Sequence, residues 1–140
     1  MEPSKFTPEF FNELGLEHLP AYLGIVVTHV LTSEIRAEFQ VQRSLLAPNG
    51  YIHAGSVITL ADTCAGYGCF ANLPDGATGF TTLELKSNHL GTARTGIVEC
   101  IAKAVHVGKT TQVWDAVVSN KDSEKVIALF RCTQIILYAK

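Results

Sequence analysis

Residues 54–70 form an almost entirely apolar stretch in which Asp62 carries the only charge. The other side chains there are apolar, small or hydroxyl-bearing, and the pattern predicts a helix with no face suited to water. A helix that is apolar on all sides is normally buried, and an unpaired carboxylate is costly to bury. Asp62 is therefore either a structural carboxylate held by hydroxyls or backbone donors, or a catalytic carboxylate with a tuned pKa.

The residues at the start of this helix favour the catalytic interpretation. The helix follows Asn49 and Gly50 and opens with His53, Ala54 and Gly55. Small residues there let a ligand approach the free backbone N–H groups, which carry the positive end of the helix dipole. The helix start therefore predicts an oxyanion site for a polarised carbonyl.

The spacing of the two candidate groups predicts a dimer. Ala54 and Asp62 are eight residues apart, which separates them by roughly 12 Å along a helix. If both act on one carbonyl carbon, they come from different subunits, with the two long helices antiparallel across a two-fold axis. A composition of 47% hydrophobic and 17% charged residues also suggests that another subunit covers some apolar surface.

The order of elements predicts an α+β fold: an antiparallel sheet of five to six strands wrapped around one long central helix. We expect a single domain over residues 1–140. A short helix follows Thr7 and Pro8 and stops at Gly15. Strand-forming residues and turn signals predict six strands: 22–31, 34–42, 78–90, 96–107, 110–120 and 125–137.

Two motifs carry a family resemblance. His53-Ala54-Gly55, with Gly50 three places earlier, is followed by Leu60-Ala61-Asp62-Thr63. This arrangement resembles the hotdog-fold acyl-CoA thioesterases, most closely the phenylacetate-pathway type. Strand 82–90 and the Gly108-Lys109 turn resemble the segments that follow in that family. The resemblance covers essentially the whole chain and implies a hotdog fold, an acyl-CoA substrate, and homodimers that often pair into tetramers.

The resemblance also implies roles for individual residues. Asp62 would be the general base or nucleophile, and the backbone N–H of Ala54 would polarise the thioester carbonyl. His53 would lie beside the reacting group or organise the loop, and Thr82 falls where some members place a serine that helps to hold the water. One departure is Ala47, where many members have Asn or Gln. Ala54 also replaces the usual glycine, a mild change because the main chain supplies the hydrogen bond.

Further residues are weaker candidates for contacts with substrate. Lys109 and Arg94 could hold the phosphates of coenzyme A, although most such side chains are plain solvated charges. The remaining candidates lie at the helix entrance or along the following strand: Asn49, Gly50, Gly55, Asn88 and His89.

Several classes of function are disfavoured. The net charge of −2 and the lack of a basic run argue against nucleic-acid binding and a membrane surface. With no signal peptide or apolar run of membrane-spanning length apparent, we expect a cytoplasmic protein. The four cysteines lie in apolar stretches and read as free buried thiols. No metal-ligand spacing is seen, and Gly108-Lys109-Thr110 is not a P-loop because Lys103 stands where glycine is required.

Two alternatives share the fold. A sensor that binds acyl-CoA without hydrolysing it would not need Asp62. A dehydratase or hydratase would carry its catalytic His and acid in other motifs, which are not found. A thioesterase that needs no cofactor, since coenzyme A is part of its substrate, is the preferred interpretation.

Overall fold

A six-stranded antiparallel sheet and one long helix dominate the computed structural model, which describes residues 2–140. The elements follow in this order: α1 (Pro8–Leu14), α2 (Leu19–Tyr22), β1 (Val26–Leu31), β2 (Glu34–Gln40), α3 (Ala54–Ala71), β3 (Ala77–His89), β4 (Ile97–Val107), β5 (Thr111–Asn120) and β6 (Val126–Tyr138). A one-turn 3-10 helix, Arg43–Leu45, precedes α3. The hotdog arrangement predicted from the sequence is confirmed.

The strand order in the sheet is β1-β2-β4-β5-β6-β3. The strand that follows α3 therefore does not join its sequence neighbour but pairs with β6 at the far edge. Alternate residues of each strand face α3, since a strand alternates between its two faces. In the central strands these inward residues are mostly apolar, whereas those of the edge strand β3 include Thr82, Ser87 and His89. In β5, for example, Trp114, Ala116 and Val118 are buried, whereas Val117 between them is exposed.

Helix α3 packs one face against the inner side of the sheet. That face comprises Ser56, Val57, Leu60, Ala61, Cys64, Ala65, Gly68 and Cys69. The expectation that α3 is buried on every side was wrong. Gly55, Thr59, Asp62 and Gly66 recur at helical spacing on a partly exposed face, because the sheet of one protomer covers only one side. Among residues 2–140, no helix is long and apolar enough to cross a membrane.

The C-terminal end of α3 is fixed to the sheet by a buried polar chain. The indole N–H of Trp114 donates to Gln112 Oε1 at 2.8 Å, and Gln112 Nε2 donates to the Asn72 carbonyl at 2.9 Å. Asn72 Nδ2 in turn donates to the carbonyls of Thr32 and Gly68. These bonds hold the indole against the helix, where no side chain can stand at Gly68.

The N-terminal segment covers the last turns of α3. The Thr7 hydroxyl accepts from the Phe10 N–H and caps α1, which ends at Gly15 as predicted.

The prediction of a strand beginning at Tyr22 was wrong. Pro20 lies in the first turn of α2, Tyr22 ends that helix, and Gly24 at φ +73° turns the chain before β1 begins at Val26.

All four cysteines are buried and unpaired, as the sequence predicts. Cys64 of α3 contacts Cys100 of β4 closely enough for a hydrogen bond between the thiols, which raises the pKa of Cys100 well above its usual range. Burial raises the pKa of both Cys69 and Cys132 to about 12. These thiols stay protonated near neutral pH and serve as small core side chains.

Candidate active site

The loop before α3 is a closed turn. The Ala47 N–H donates to the Tyr51 carbonyl at 2.7 Å, and the Gly50 N–H donates to the Ala47 carbonyl at 2.9 Å. Gly50 has φ +87°, a conformation that glycine adopts without strain. The Asn49 carboxamide accepts the Tyr51 N–H at 3.1 Å, so this side chain supports the turn that delivers the chain to His53.

His53 caps α3 with its side chain. Its Nδ1 accepts the Gly55 N–H at 2.7 Å, while its carbonyl accepts the N–H groups of Ser56 and Val57. An accepting Nδ1 carries no proton, so the neutral ring holds its proton on Nε2. Among the described residues, only the Ala54 N–H of this first turn has no acceptor. The exposed Ala54 therefore offers one free backbone donor.

The helix start is anchored on both sides. The buried Ser56 hydroxyl donates to the Leu45 carbonyl at 2.9 Å, and the Ile52 N–H donates to the Ala93 carbonyl at 2.8 Å. The next residue, Arg94, stacks its guanidinium over the Tyr51 ring at 5.1 Å from the centroid. A positive charge is thereby held against the loop that leads into α3.

Asp62 lies two turns further along α3, where it meets the edge strand. The Thr82 hydroxyl donates to Asp62 Oδ1 at 3.4 Å, a long and weak hydrogen bond for two oxygens. The pairing of β3 with β6 slips directly after Thr82, so that Leu83 is an extra, bulged residue. Bulges re-aim side chains beside functional sites. Here the bulge makes Leu85 face inward instead of Glu84, which keeps a second carboxylate away from Asp62.

Burial raises the pKa of Asp62 above its ordinary value, and the hydrogen bond from Thr82 partly opposes this by lowering it. Desolvation disfavours the charged form of a carboxyl group, whereas a donor stabilises it. The result is a partly accessible carboxylate with increased affinity for a proton. This is the property that a general base needs.

A groove of about 350 Å³ adjoins the start of α3. It is lined by α2, the 3-10 turn and the helix start, including Tyr22, Leu45, His53, Gly55 and Thr59. Asp62 follows Thr59 on the same partly exposed face of α3. The helix start and the carboxylate therefore lie along one accessible surface, two turns apart.

The structure separates the other predicted binding residues. His89 opposes Ala128 and faces inward like Thr82, whereas Asn88 opposes Leu129 and faces outward. Asn88 lines a depression with Lys86, Asp115 and Arg131 on the opposite side of the sheet from Asp62. Lys109 lies with Pro74 and Tyr138, beside the C-terminal end of α3, and its carbonyl accepts a hydrogen bond from the Tyr138 hydroxyl.

Two residues near Asp62 escaped the sequence analysis. Burial raises the pKa of the Cys132 thiol of β6, and the nearby negative charge of Asp62 raises it further. Gln134 opposes Thr82 on the same inner face and is fully buried. The available signal was a glutamine inside the alternating apolar positions of the last strand, where a polar side chain is unusual.

Comparison with known proteins gives a consistent result. A family model described as the thioesterase superfamily matches residues 49–127. The 1,4-dihydroxy-2-naphthoyl-CoA hydrolase of Listeria monocytogenes is 32% identical over 79% of this chain and 89% of its own. The Escherichia coli protein of the same name is 31% identical over 79% and 80%. A crystal structure of a mutant thioesterase PA1618 from Pseudomonas aeruginosa superimposes with a TM-score of 0.90 at 27% identity, covering 95% of each chain.

Proposed function

The chain belongs to the thioesterase superfamily and is a thioesterase, and from this premise we propose that it hydrolyses acyl-CoA thioesters with Asp62 as the general base. The observation that carries the proposal is the pairing of two features on α3. One is the partly buried Asp62, whose raised pKa suits proton uptake. The other is the Ala54 N–H, the one donor of the first turn without an acceptor in the described chain.

These two groups serve both the attack of water on the thioester and the release of the thiol. Asp62 takes a proton from water as the water oxygen bonds to the thioester carbon. The Ala54 N–H donates to the carbonyl oxygen, which gains negative charge in the tetrahedral intermediate. The C–S bond then breaks, and the leaving thiolate takes the proton back from Asp62. His53 organises the donor by occupying the Gly55 N–H, and its Nε2–H is free to face the substrate.

We assign the two groups of one site to two protomers. Along one helix they are roughly 12 Å apart, too far for a single carbonyl. The partly exposed face of α3 offers Gly55, Thr59 and Asp62 to a second copy. In the described chain β3 pairs with β6 alone, so its other edge has unpaired backbone groups and exposes Leu83. A homodimer covers both surfaces and creates two composite sites.

The proposed substrates are CoA esters of aryl or medium-chain acyl groups. Support for the aryl choice comes from the relatives named as 1,4-dihydroxy-2-naphthoyl-CoA hydrolases. The groove at the helix start has apolar walls from Tyr22 and Leu45. We assign Arg94, fixed over Tyr51 at the same helix start, to the phosphates of coenzyme A.

Thiol release from a panel of esters tests the reaction and the base together. The panel includes 1,4-dihydroxy-2-naphthoyl, phenylacetyl, hydroxybenzoyl and medium-chain aliphatic CoA. Asp62→Asn should lower kcat by at least about 100-fold, since a general base contributes about 10²–10⁴. The matched control is Asp115→Asn, an acid paired with Arg131 on the outer face, which should keep wild-type activity. Full activity in Asp62→Asn, or saturable binding without hydrolysis of any ester, would refute the proposal.

Mixing two inactive variants tests the composite site. Ala54→Pro removes the donor N–H at a position where helices tolerate proline, and the preceding His53 has the extended conformation that proline requires (ψ 134°). After denaturation and refolding of a 1:1 mixture with Asp62→Asn, half the dimers are mixed. Each has one intact site, so about a quarter of wild-type activity should return. No recovery in verified mixed dimers would place both groups in one protomer.

A further inference from the structure

Gln134 is a polar side chain in the core, opposite the threonine that contacts the proposed base. The inward positions of β6 are otherwise filled by Ala128, Phe130, Cys132 and Ile136, and all five side chains are buried. Gln134 Nε2 donates to Cys132 Sγ at 3.4 Å, which holds one end of the amide. Its Oε1 is buried and has no donor among residues 2–140. A buried carbonyl oxygen without a donor is unfavourable, so a nearby group is expected to satisfy it in some state of the protein.

The nearest hydroxyl in the strand register belongs to Thr82. Thr82 and Gln134 are directly opposed on the inner face of the antiparallel pair β3–β6, where opposed Cβ atoms lie about 4.5–5.5 Å apart. A glutamine side chain can span that distance. The Thr82 hydroxyl has a single proton, with which it donates one long hydrogen bond of 3.4 Å to Asp62. It can also accept hydrogen bonds through its lone pairs.

We propose that Gln134 is a positioning residue whose Oε1 accepts a hydrogen bond from the Thr82 hydroxyl whenever Asp62 is protonated. With Asp62 charged, Thr82 donates to the carboxylate and Gln134 Oε1 is left without a donor. With Asp62 protonated, the acid O–H donates to Thr82 Oγ1, and the Thr82 O–H turns to Gln134 Oε1. No covalent bond changes at Thr82 or Gln134. The proposal rests on the proposed function, in which Asp62 gains and returns a proton in every turnover.

The other titratable groups around Asp62 do not replace this relay of hydrogen bonds from protonated Asp62 through Thr82 to Gln134. Cys132 of β6 and Cys64 of α3 are buried in the core, and burial raises the pKa of Cys132 to about 12. On β3, Glu84 faces outward and His89 faces inward further along the strand. Glu34 of β2 is ion-paired with Arg36 at 2.6 Å.

The remaining surroundings of Asp62 are mostly uncharged. The inward positions of β4 and β5 carry no charge; they are Val98, Cys100, Ala102, Gln112, Trp114, Ala116 and Val118. From α1 and the segment after α2, Phe11 and Leu23 pack towards α3. In the proposed dimer the helix start of the second copy, with its His53, also faces Asp62.

The relay predicts a measurable change in the proton affinity of Asp62. A hydrogen bond available only to the protonated state raises the pKa of the acid. Removing the acceptor should therefore increase the acid dissociation constant of Asp62 about fivefold, the worth of one net hydrogen bond. The acidic limb of the kcat/KM profile should move to lower pH by the same factor, while KM stays unchanged.

Titration of the Asp62 carboxyl by carbon NMR in Gln134→Met is the direct test. Methionine matches the shape of glutamine but lacks the acceptor, and Gln134→Asn, which draws the amide back, is the second variant if methionine does not fold. Ser87→Ala is the matched control, because its hydroxyl is likewise buried without a partner on the inner face but lies beyond Thr82; it should leave Asp62 unchanged. In a Thr82→Val background, Gln134→Met should add nothing.

The outcomes separate this proposal from the proposed function. An unchanged Asp62 titration in both Gln134 variants, or an equal shift in the Thr82→Val background, would overturn the relay. The titration requires no turnover, so it remains a valid test of the relay even if Asp62→Asn proves active. Activity of Asp62→Asn would remove only the assignment of Asp62 as the base.

Discussion

Two glycines of α3, two residues apart, should respond to alanine in opposite directions. A Cβ at Gly68 would lie 2.5 Å from Cη2 and 2.6 Å from Cζ3 of Trp114, well inside the contact distance of two carbons. At Gly66 the nearest atom is Phe80 Cζ at 3.4 Å, an ordinary contact. The two substitutions share the same gain in helix propensity, about 1 kcal/mol, so their difference measures the packing of the indole.

The expected magnitude follows from how firmly Trp114 is held. The indole is fully buried, and its N–H is bonded to Gln112, which is itself bonded to the end of the same helix. Because the ring cannot swing away without breaking this chain, overpacking should reach the upper part of its usual range, about 3 kcal/mol. After the propensity gain, Gly68→Ala should lower the free energy of unfolding by about 2 kcal/mol.

Thermal and urea unfolding at one fixed protein concentration measure the difference. An unfolding entropy of about 2.1 cal/mol/K per residue gives roughly 0.3 kcal/mol per degree for a chain of 140 residues. Gly68→Ala should therefore melt about 7 °C lower than wild type, and Gly66→Ala up to about 3 °C higher. If Gly68→Ala proves as stable as Gly66→Ala, the argument that the indole is immobile is refuted.

Three further changes have defined outcomes. Asp62→Asn should raise the free energy of unfolding at pH 7, because burial raises the pKa of Asp62 and the folded state disfavours its charge. This gain in stability should shrink as the pH falls through the raised pKa and vanish below the ordinary pKa of 3.8. Urea melts that show a loss of stability at pH 7 would contradict this. His53→Ala should cost about 1 kcal/mol by removing the cap on Gly55, whereas His53→Asn, which can cap, should recover most of it in the same melts. Leu83→Lys, at an exposed bulge (62% exposed), should weaken self-association in light scattering and lower the melting temperature only through that loss of dimer. An unaltered mass at low concentration would show that this edge is not an interface.

The strands and the long helix were predictable because their patterns are local. The four predicted strands after α3 begin and end within one residue of the observed bounds. The error at Tyr22 has a local cause as well. The aliphatic and aromatic residues after Pro20 have strand propensity, but a single helical turn with proline at its start outcompetes it.

The faces of the elements were harder to predict than the elements themselves. Apolar and small residues of α3 occur on all of its faces, so its sequence does not reveal which side meets the sheet. Alternation places Asn88 and His89 on opposite faces, but the bulge at Leu83 decides which one points inward. Gln134 acquires its proposed role only because β6 pairs with β3, which places it opposite Thr82, a residue 52 positions earlier in the chain.

The position of β3 also constrains how the chain is assembled during synthesis. Translation delivers β3 before β4, β5 and β6, yet β6 is the only strand in residues 2–140 with which it pairs. At about 5–20 residues per second, the carboxyl-bearing helix and its threonine-bearing strand are out of the ribosome for several seconds before the platform that joins them exists. During that interval β3 is an unpaired strand that exposes Leu83 and Leu85, and chaperones act on unpaired strand edges with exposed apolar side chains. Thr82 can therefore dock beside Asp62 only late in folding, and a message truncated before codon 126 would yield the three helices and five strands without the strand that pairs with β3.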